Sequence, residues 1–173
     1  MHLSVLEALG ANFVNDHGYL YASSPNGLHA AKVFLDFPSV GATENMLMAS
    51  VATEGTTVID NAAREPEIVD LANMLNEMGA CVQGAGTSTI VVHGVALSDM
   101  HPCEHWVVGD RIEAGTYLTA GALLGGPITV EGIDPEFLRT VLMKFEEMGA
   151  NILTTEDSIT VSRTEPLRPT DIQ

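Results

Sequence analysis

The chain has 173 residues, enough to bury a real core and to form one or two domains. Its formal net charge is −16, with only 7 Lys and Arg, which argues against nucleic acid or an anionic membrane as partner, since both are bound through basic patches. Hydrophobic residues make up 46% of it, yet no stretch is long and apolar enough to span a bilayer and no charged-then-apolar leader opens it, so with two cysteines, Cys81 and Cys103, the expected setting is a reducing, cytoplasmic one.

In chain order, a helical run closes at Leu9-Gly10-Ala11, and Phe13-Val14 and Tyr19-Leu20-Tyr21 form a hairpin across Asp16-His17-Gly18. Val33-Phe34-Leu35 reads as a strand. Ser39 is an N-cap ahead of a mostly apolar helix, with Met46-Leu47-Met48, Ala49 and Val51, that closes at Gly55. A helix apolar on most sides is expected to be buried. Thr56-Thr57-Val58-Ile59 is a β-branched strand. Pro66, after Glu65, then opens an amphipathic helix at the position where proline loses no hydrogen bond. Its inner stripe is Ile68, Leu71, Leu75 and Met78, and Gly79 suits a left-handed stop. Cys81-Val82 and Ile90-Val91-Val92 pair across Gly84-Ala85-Gly86.

The same order then repeats. Trp106-Val107-Val108 is predicted as a strand, and Asp110 caps a second apolar helix with Ile112, Tyr117, Leu118 and Ala120 through Leu124, closing at Gly126. Ile128-Thr129-Val130 follows as a strand. Pro135, after Asp134, opens an amphipathic helix whose inner side is Phe137, Leu138, Val141, Leu142 and Phe145, stopped at Gly149. Asn151-Ile152-Leu153 and Ile159-Thr160-Val161 close the unit as a hairpin across Glu156-Asp157. The stops at Gly10, Gly79 and Gly149 recur at roughly 70 residues, the mark of a repeated supersecondary unit. The chain thus reads as two whole units and the tail of a third, in a layered α/β architecture.

Three clusters carry candidate chemistry. Ser39-Val40-Gly41-Ala42-Thr43 opens a buried helix, and the amides and dipole of a helix start favour an anion, with Gly41 allowing close approach to the backbone. A plain N-cap explains the same residues. Arg64-Glu65-Pro66-Glu67 and Asp110-Arg111-Ile112-Glu113 place two of the few cations at helix starts beside carboxylates. Such arrangements orient arginines for phosphate or carboxylate, while capping and a surface salt bridge account for them equally. His101, Cys103 and His105 alternate as metal ligands could, but no second pair stands at a familiar spacing. Met46, Met48, Met74, Met78, Met143 and Met148 fall at or near helical core positions and read as packing.

Three blocks resemble the UDP-N-acetylglucosamine 1-carboxyvinyltransferase family: Phe34 through Asn45, Asn61 through Leu71, and Asp110-Arg111-Ile112-Glu113-Ala114-Gly115-Thr116. The resemblance runs over essentially the whole chain. It implies a fold of six repeated α/β units, an inside-out α/β barrel with three units per domain and the active site between domains. Residues 1–108 would be the C-terminal part of one domain and 109–173 the first unit of the next. The implied reaction moves the enolpyruvyl group of phosphoenolpyruvate to the 3-hydroxyl of UDP-N-acetylglucosamine and releases phosphate. That is the committed step of bacterial peptidoglycan and cell-wall synthesis, with consequences for cell shape and division, and it needs no cofactor or metal.

Carried onto this sequence, the resemblance makes Phe37, Pro38, Ser39, Val40 and Gly41 the stretch that holds the UDP-sugar. It makes Arg64, Glu65, Glu67, Asp110, Arg111 and Glu113 cleft-lining residues that orient substrates. The family's Lys-Asn pair, its loop Cys with a neighbouring Arg, and its late Arg have no counterpart here, and neither Cys81 nor Cys103 inherits the loop cysteine's role. Pro169-Thr170-Asp171 is similar to the motif of the family's base but arrives too early in the repeat, so Asp171 is not expected to be that base. No catalytic residue is therefore assigned, and the chain alone is expected to be an inactive part of the enzyme. The rival expectations are a non-catalytic UDP-sugar-binding or self-associating remnant, exposing sheet edges and apolar helix faces, and a relative of the shikimate-pathway enolpyruvyl transferase.

Overall fold

The computed structural model describes residues 1–171 and divides into two compact units, Met1–Trp106 and Val107–Gln173. In the first, α1 (His2–Ala8) precedes a hairpin of β1 (Asn12–Asp16) and β2 (Tyr19–Ser23), which form a two-stranded sheet of their own. β3 (Lys32–Phe34), α2 (Val40–Ser50), β4 (Thr56–Asp60), α3 (Pro66–Glu77), β5 (Cys81–Gln83) and β6 (Thr89–His93) follow. The second unit holds α4 (Arg111–Leu124), β7 (Ile128–Glu131), α5 (Arg139–Met148), β8 (Asn151–Thr154) and β9 (Ser158–Ser162).

The repeat is visible in the sheets. The first unit orders its strands β3-β4-β6-β5 and the second β7-β9-β8, so in both the last strand of the unit lies in the middle of the three shared ones. Val58 pairs with Val91 and Val82 with Val92, just as Val130 pairs with Ile159 and Ile152 with Val161. Alternation places one face of each sheet inward. Thr57, Ile59, Ile90, Val92 and Val82 are buried in the first unit, and Ile159 and Val161 in the second. The inward face of the first unit meets Met46 and Leu47 of α2 and Ile68 and Leu75 of α3. That of the second meets Leu118 of α4 and Leu142 and Phe145 of α5.

Several details differ from the sequence reading. Trp106-Val107-Val108 forms no strand, and Trp106 is 96% exposed. The segment before it is bonded to α3, which takes the chain along a helix instead of into a sheet. α4 is not buried on most sides. It presses Ala114, Leu118, Gly121 and Ala122 inward, while Ile112, Tyr117, Leu123 and Leu124 stay exposed, Leu124 at 81%. One sheet face can cover only one stripe of a helix. The two apolar helices end at Ser50 and Leu124, short of Gly55 and Gly126, the second with Gly125 as its left-handed cap. Pro135 opens a short 3₁₀ turn, Pro135–Leu138, before α5 begins. Of the methionines, Met46 is fully buried, but Met48, Met74 and Met143 are exposed. Val141 is exposed as well, leaving Leu138, Leu142 and Phe145 as the inner side of that element.

Candidate functional site

At the C-terminal ends of the parallel pair β3 and β4, two loops are locked together. This is where ligands bind in open α/β sheets. Leu35 N–H donates to the Asp60 carbonyl at 3.0 Å, and Asn61, in a left-handed conformation (φ 57°), returns its side-chain amide to the Leu35 carbonyl at 2.8 Å. The loop after β3 then enters α2 through Ser39, whose hydroxyl accepts the Ala42 amide at 3.4 Å. The loop after β4 enters α3 through Arg64 and Glu65, and Glu65 turns its carboxylate back onto the Arg64 amide at 2.8 Å. Thr43 couples the two: its hydroxyl donates to the Ser39 carbonyl at 2.8 Å and accepts the buried Ala63 amide at 3.1 Å.

The structure therefore brings Ser39, Val40 and Gly41 together with Arg64, Glu65 and Glu67 at one end of one sheet. Phe37 and Pro38 stand exposed at its rim. Ser39 already serves Ala42 and Thr43, whereas the Val40 and Gly41 amides have no partner among the described residues. Helix-start amides left open in this way, on a rigid support, can take up an anion.

One participant escaped the sequence reading. His2 of α1 lies over Gly41, so close that a Cβ there would stand 2.6 Å from its Cε1. Its Nδ1 is 2.7 Å from Asn45 Nδ2; with the amide donating, the ring proton sits on Nε2. Nothing local in the sequence signals a meeting of residues 43 positions apart.

In the second unit, Asp110 caps α4, its Oδ1 accepting the Ile112 amide at 2.7 Å and the Glu113 amide at 3.3 Å. Glu113 lines an open pocket of about 350 Å³ with Gly109, Tyr117, Glu131 and Ile133. Gly109 approaches the Gly132 carbonyl so closely that a Cβ would lie 2.2 Å from the oxygen, so this glycine makes room for backbone. Arg111 is half-buried at the first position of α4.

The family model described as "EPSP synthase (3-phosphoshikimate 1-carboxyvinyltransferase)" matches residues 1–173. The chain belongs to the EPSP synthase family. Within this family it is 50% identical over 172 residues to UDP-N-acetylglucosamine 1-carboxyvinyltransferase 2 of Staphylococcus saprophyticus, covering 99% of this chain and 40% of the relative. It is 48% identical, at the same coverage, to UDP-N-acetylglucosamine 1-carboxyvinyltransferase 1 of Staphylococcus aureus. The chain thus spans about 40% of the length of these curated relatives. Among solved structures it is similar to the enolpyruvyl transferase NikO from Streptomyces tendae, with a TM-score of 0.84 at 25% identity over 97% of this chain and 43% of that one. EPSP synthase from Acinetobacter baumannii shares the fold at a TM-score of 0.66 and 19% identity, over 99% of this chain and 41% of that one. The repeated α/β fold expected from the sequence is therefore the fold of enolpyruvyl transferases, and the shikimate-pathway reading is the weaker one.

The remaining sequence candidates of this family member part company in the fold. His101, Cys103 and His105 do not converge, and no group of three metal-ligating side chains occurs among the described residues. Cys103 Sγ lies 3.9 Å from the Met74 carbonyl, and His105 faces two carboxylates of α3. Cys81 and Cys103 are both free thiols. Asp171 is exposed, and its neighbour Thr170 donates to Glu147 at 2.7 Å. Among the described residues no helix is long and apolar enough to cross a membrane.

Proposed function

We propose that this chain supplies the UDP-N-acetylglucosamine side of an enolpyruvyl transferase of peptidoglycan synthesis, working in the cytoplasm. In this reading Ser39, Val40 and Gly41 receive the diphosphate, Phe37 and Pro38 border the nucleotide, and Arg64 lends its charge. Glu65, Glu67, Asp110, Arg111 and Glu113 orient the sugar and phosphoenolpyruvate. The observation that carries it is the pair of Val40 and Gly41 amides without a partner among the described residues, on the same sheet end as Arg64, in a chain half identical to relatives named for this substrate. Open amides in fixed positions bind an anion without reorganising at the moment of binding. The chain is a binding part of the machinery, and no release of phosphate is expected from it alone.

The test is a melting experiment with UDP-N-acetylglucosamine. A ligand at ten times its Kd stabilises by about 1.4 kcal/mol, or roughly 3–6 °C for a chain of this size. That shift should disappear in Ser39→Ala combined with Arg64→Ala. Shikimate 3-phosphate in parallel separates the shikimate reading, because it alone should then raise the melting point. The exposed Ile112, Tyr117, Leu123 and Leu124 of α4 favour a second reading, a self-associating module. Gel filtration giving a concentration-independent monomer would remove it.

A further inference from the structure

The first unit ends in a strap. Residues 102–106 run extended along α3, with Cys103 and His105 turned inward and Pro102, Glu104 and Trp106 outward. Just ahead of the strap, the His101 amide donates to the Met78 carbonyl at 2.9 Å. Further along, the Cys103 thiol makes its weak contact with the Met74 carbonyl at 3.9 Å. His105 then places Nε2 2.9 Å from Asp70 Oδ1 and Nδ1 3.3 Å from Glu77 Oε2. Asp70, Met74, Glu77 and Met78 are spaced by four, three and one residues, so they form one stripe of the helix.

Both nitrogens of this imidazole, whose side chain is only 11% exposed, meet carboxylate oxygens. Ionised carboxylates only accept hydrogen bonds, and a neutral imidazole has a single N–H. A neutral ring would hold its free lone pair against one of the two anions; only the imidazolium satisfies both. We propose that His105 is a proton-operated latch, holding the strap on α3 while protonated and releasing it when the proton leaves. The hydrogen bond to Asp70 is the main cause that raises the His105 pKa above its ordinary value, helped by the one to Glu77 and opposed by burial.

The two carboxylates bonded to the ring, Asp70 and Glu77, come from α3, and Asp70 has a further partner besides the ring. On the strap itself Glu104 is exposed, Cys103 addresses Met74, and His101 turns Nδ1 to the Pro102 carbonyl at 3.3 Å. Besides the ring, the His101 amide and the Cys103 thiol tie this stretch to the end of α3. Because the folded pKa is raised, the latch closes as the pH falls through that raised value and opens as the pH climbs through it.

Trp106 is the single tryptophan and adjoins His105, so it reports on the strap alone. Its nanosecond fluorescence anisotropy should fall with rising pH, at the midpoint at which the His105 ring titrates by NMR. His105→Gln should show no step, and Glu77→Gln should move the step toward pH 6.5 because one of the two anions is gone. A flat wild-type profile across the ring's titration, a step that survives in His105→Gln, or an unmoved midpoint in Glu77→Gln would each overturn the latch. The wild-type titration decides the matter even if a variant fails to fold.

Discussion

The hydroxyl of Thr43 accepts the amide of Ala63 at 3.1 Å, and both residues are fully buried. This bond joins the start of α2 to the loop that carries Arg64, so the two halves of the proposed binding end are held by one side chain. Thr43→Val keeps the shape and removes the partner, leaving a buried N–H unsatisfied at a cost of about 1–3 kcal/mol. Thr43→Ser should retain the bond and lose less. Denaturant midpoints at unchanged slope measure the difference, and the UDP-N-acetylglucosamine melting shift should weaken in the valine variant.

Two glycines predict opposite outcomes. A Cβ on Gly94 would stand 1.6 Å from the Thr53 carbonyl oxygen, which is backbone and cannot step aside. Gly94→Ala should therefore destabilise by about 3 kcal/mol or more. On Gly41 the obstacle is the tip of His2, a side chain that can swing away. Gly41→Ala also gains up to about 1 kcal/mol of helix propensity, so its stability should stay near wild type. The His2 to Asn45 hydrogen bond should be lost instead, visible as a changed His2 ring signal in NMR.

Acid should loosen the first unit through Asp60. Its pKa is lowered, chiefly by the hydrogen bond from Thr89 at 3.0 Å and next by Lys32 at 3.2 Å. A depressed carboxylate contributes stability that is complete above its ordinary value of about 3.9 and is lost as the pH falls through the lowered one. Denaturation midpoints followed from pH 5 to pH 2 should show this loss. Asp60→Asn should remove that component, and Thr89→Val should reduce it more than Lys32→Met does.

Arg163 closes the second unit. Its Nε and Nη2 donate to the Ala122 and Leu123 carbonyls, each at 2.8 Å, and Nη1 to the Glu165 carbonyl at 3.2 Å. The first two are last-turn carbonyls of α4, where a cation also suits the helix dipole. Arg163→Ala should cost about 1.5–3 kcal/mol. Lysine should recover only part, because a single ammonium cannot reproduce the planar fork. Hydrogen exchange at the end of α4 should quicken in the same order.

Much of this fold was legible in the residues. The hairpins, the proline starts at Pro66 and Pro135, and the left-handed Gly79 and Gly149, at φ 97° and 96°, all stand where local chemistry asks for them. Local signals were also where the reading failed. Trp106-Val107-Val108 has strand composition, but a strand exists only with a partner, and the preceding residues are committed to α3. α4 reads as apolar on most sides, yet how much of a helix is covered depends on how many surfaces surround it. Ser39 and Asp110 were recognised as caps because a cap acts within three residues.

By itself, then, the sequence determined the repeat, the order of elements, the inward stripes and the enolpyruvyl transferase lineage, since these are written in periodicity and in contiguous motifs. Only the tertiary structure decided that His2 covers Gly41, that Thr43 reaches Ala63, and that His105 falls between Asp70 and Glu77. Such meetings depend on where the backbone crosses itself. That is set by the packing of whole helices on whole sheets, and a polar side chain carries no mark of which distant residue the packing will bring to it.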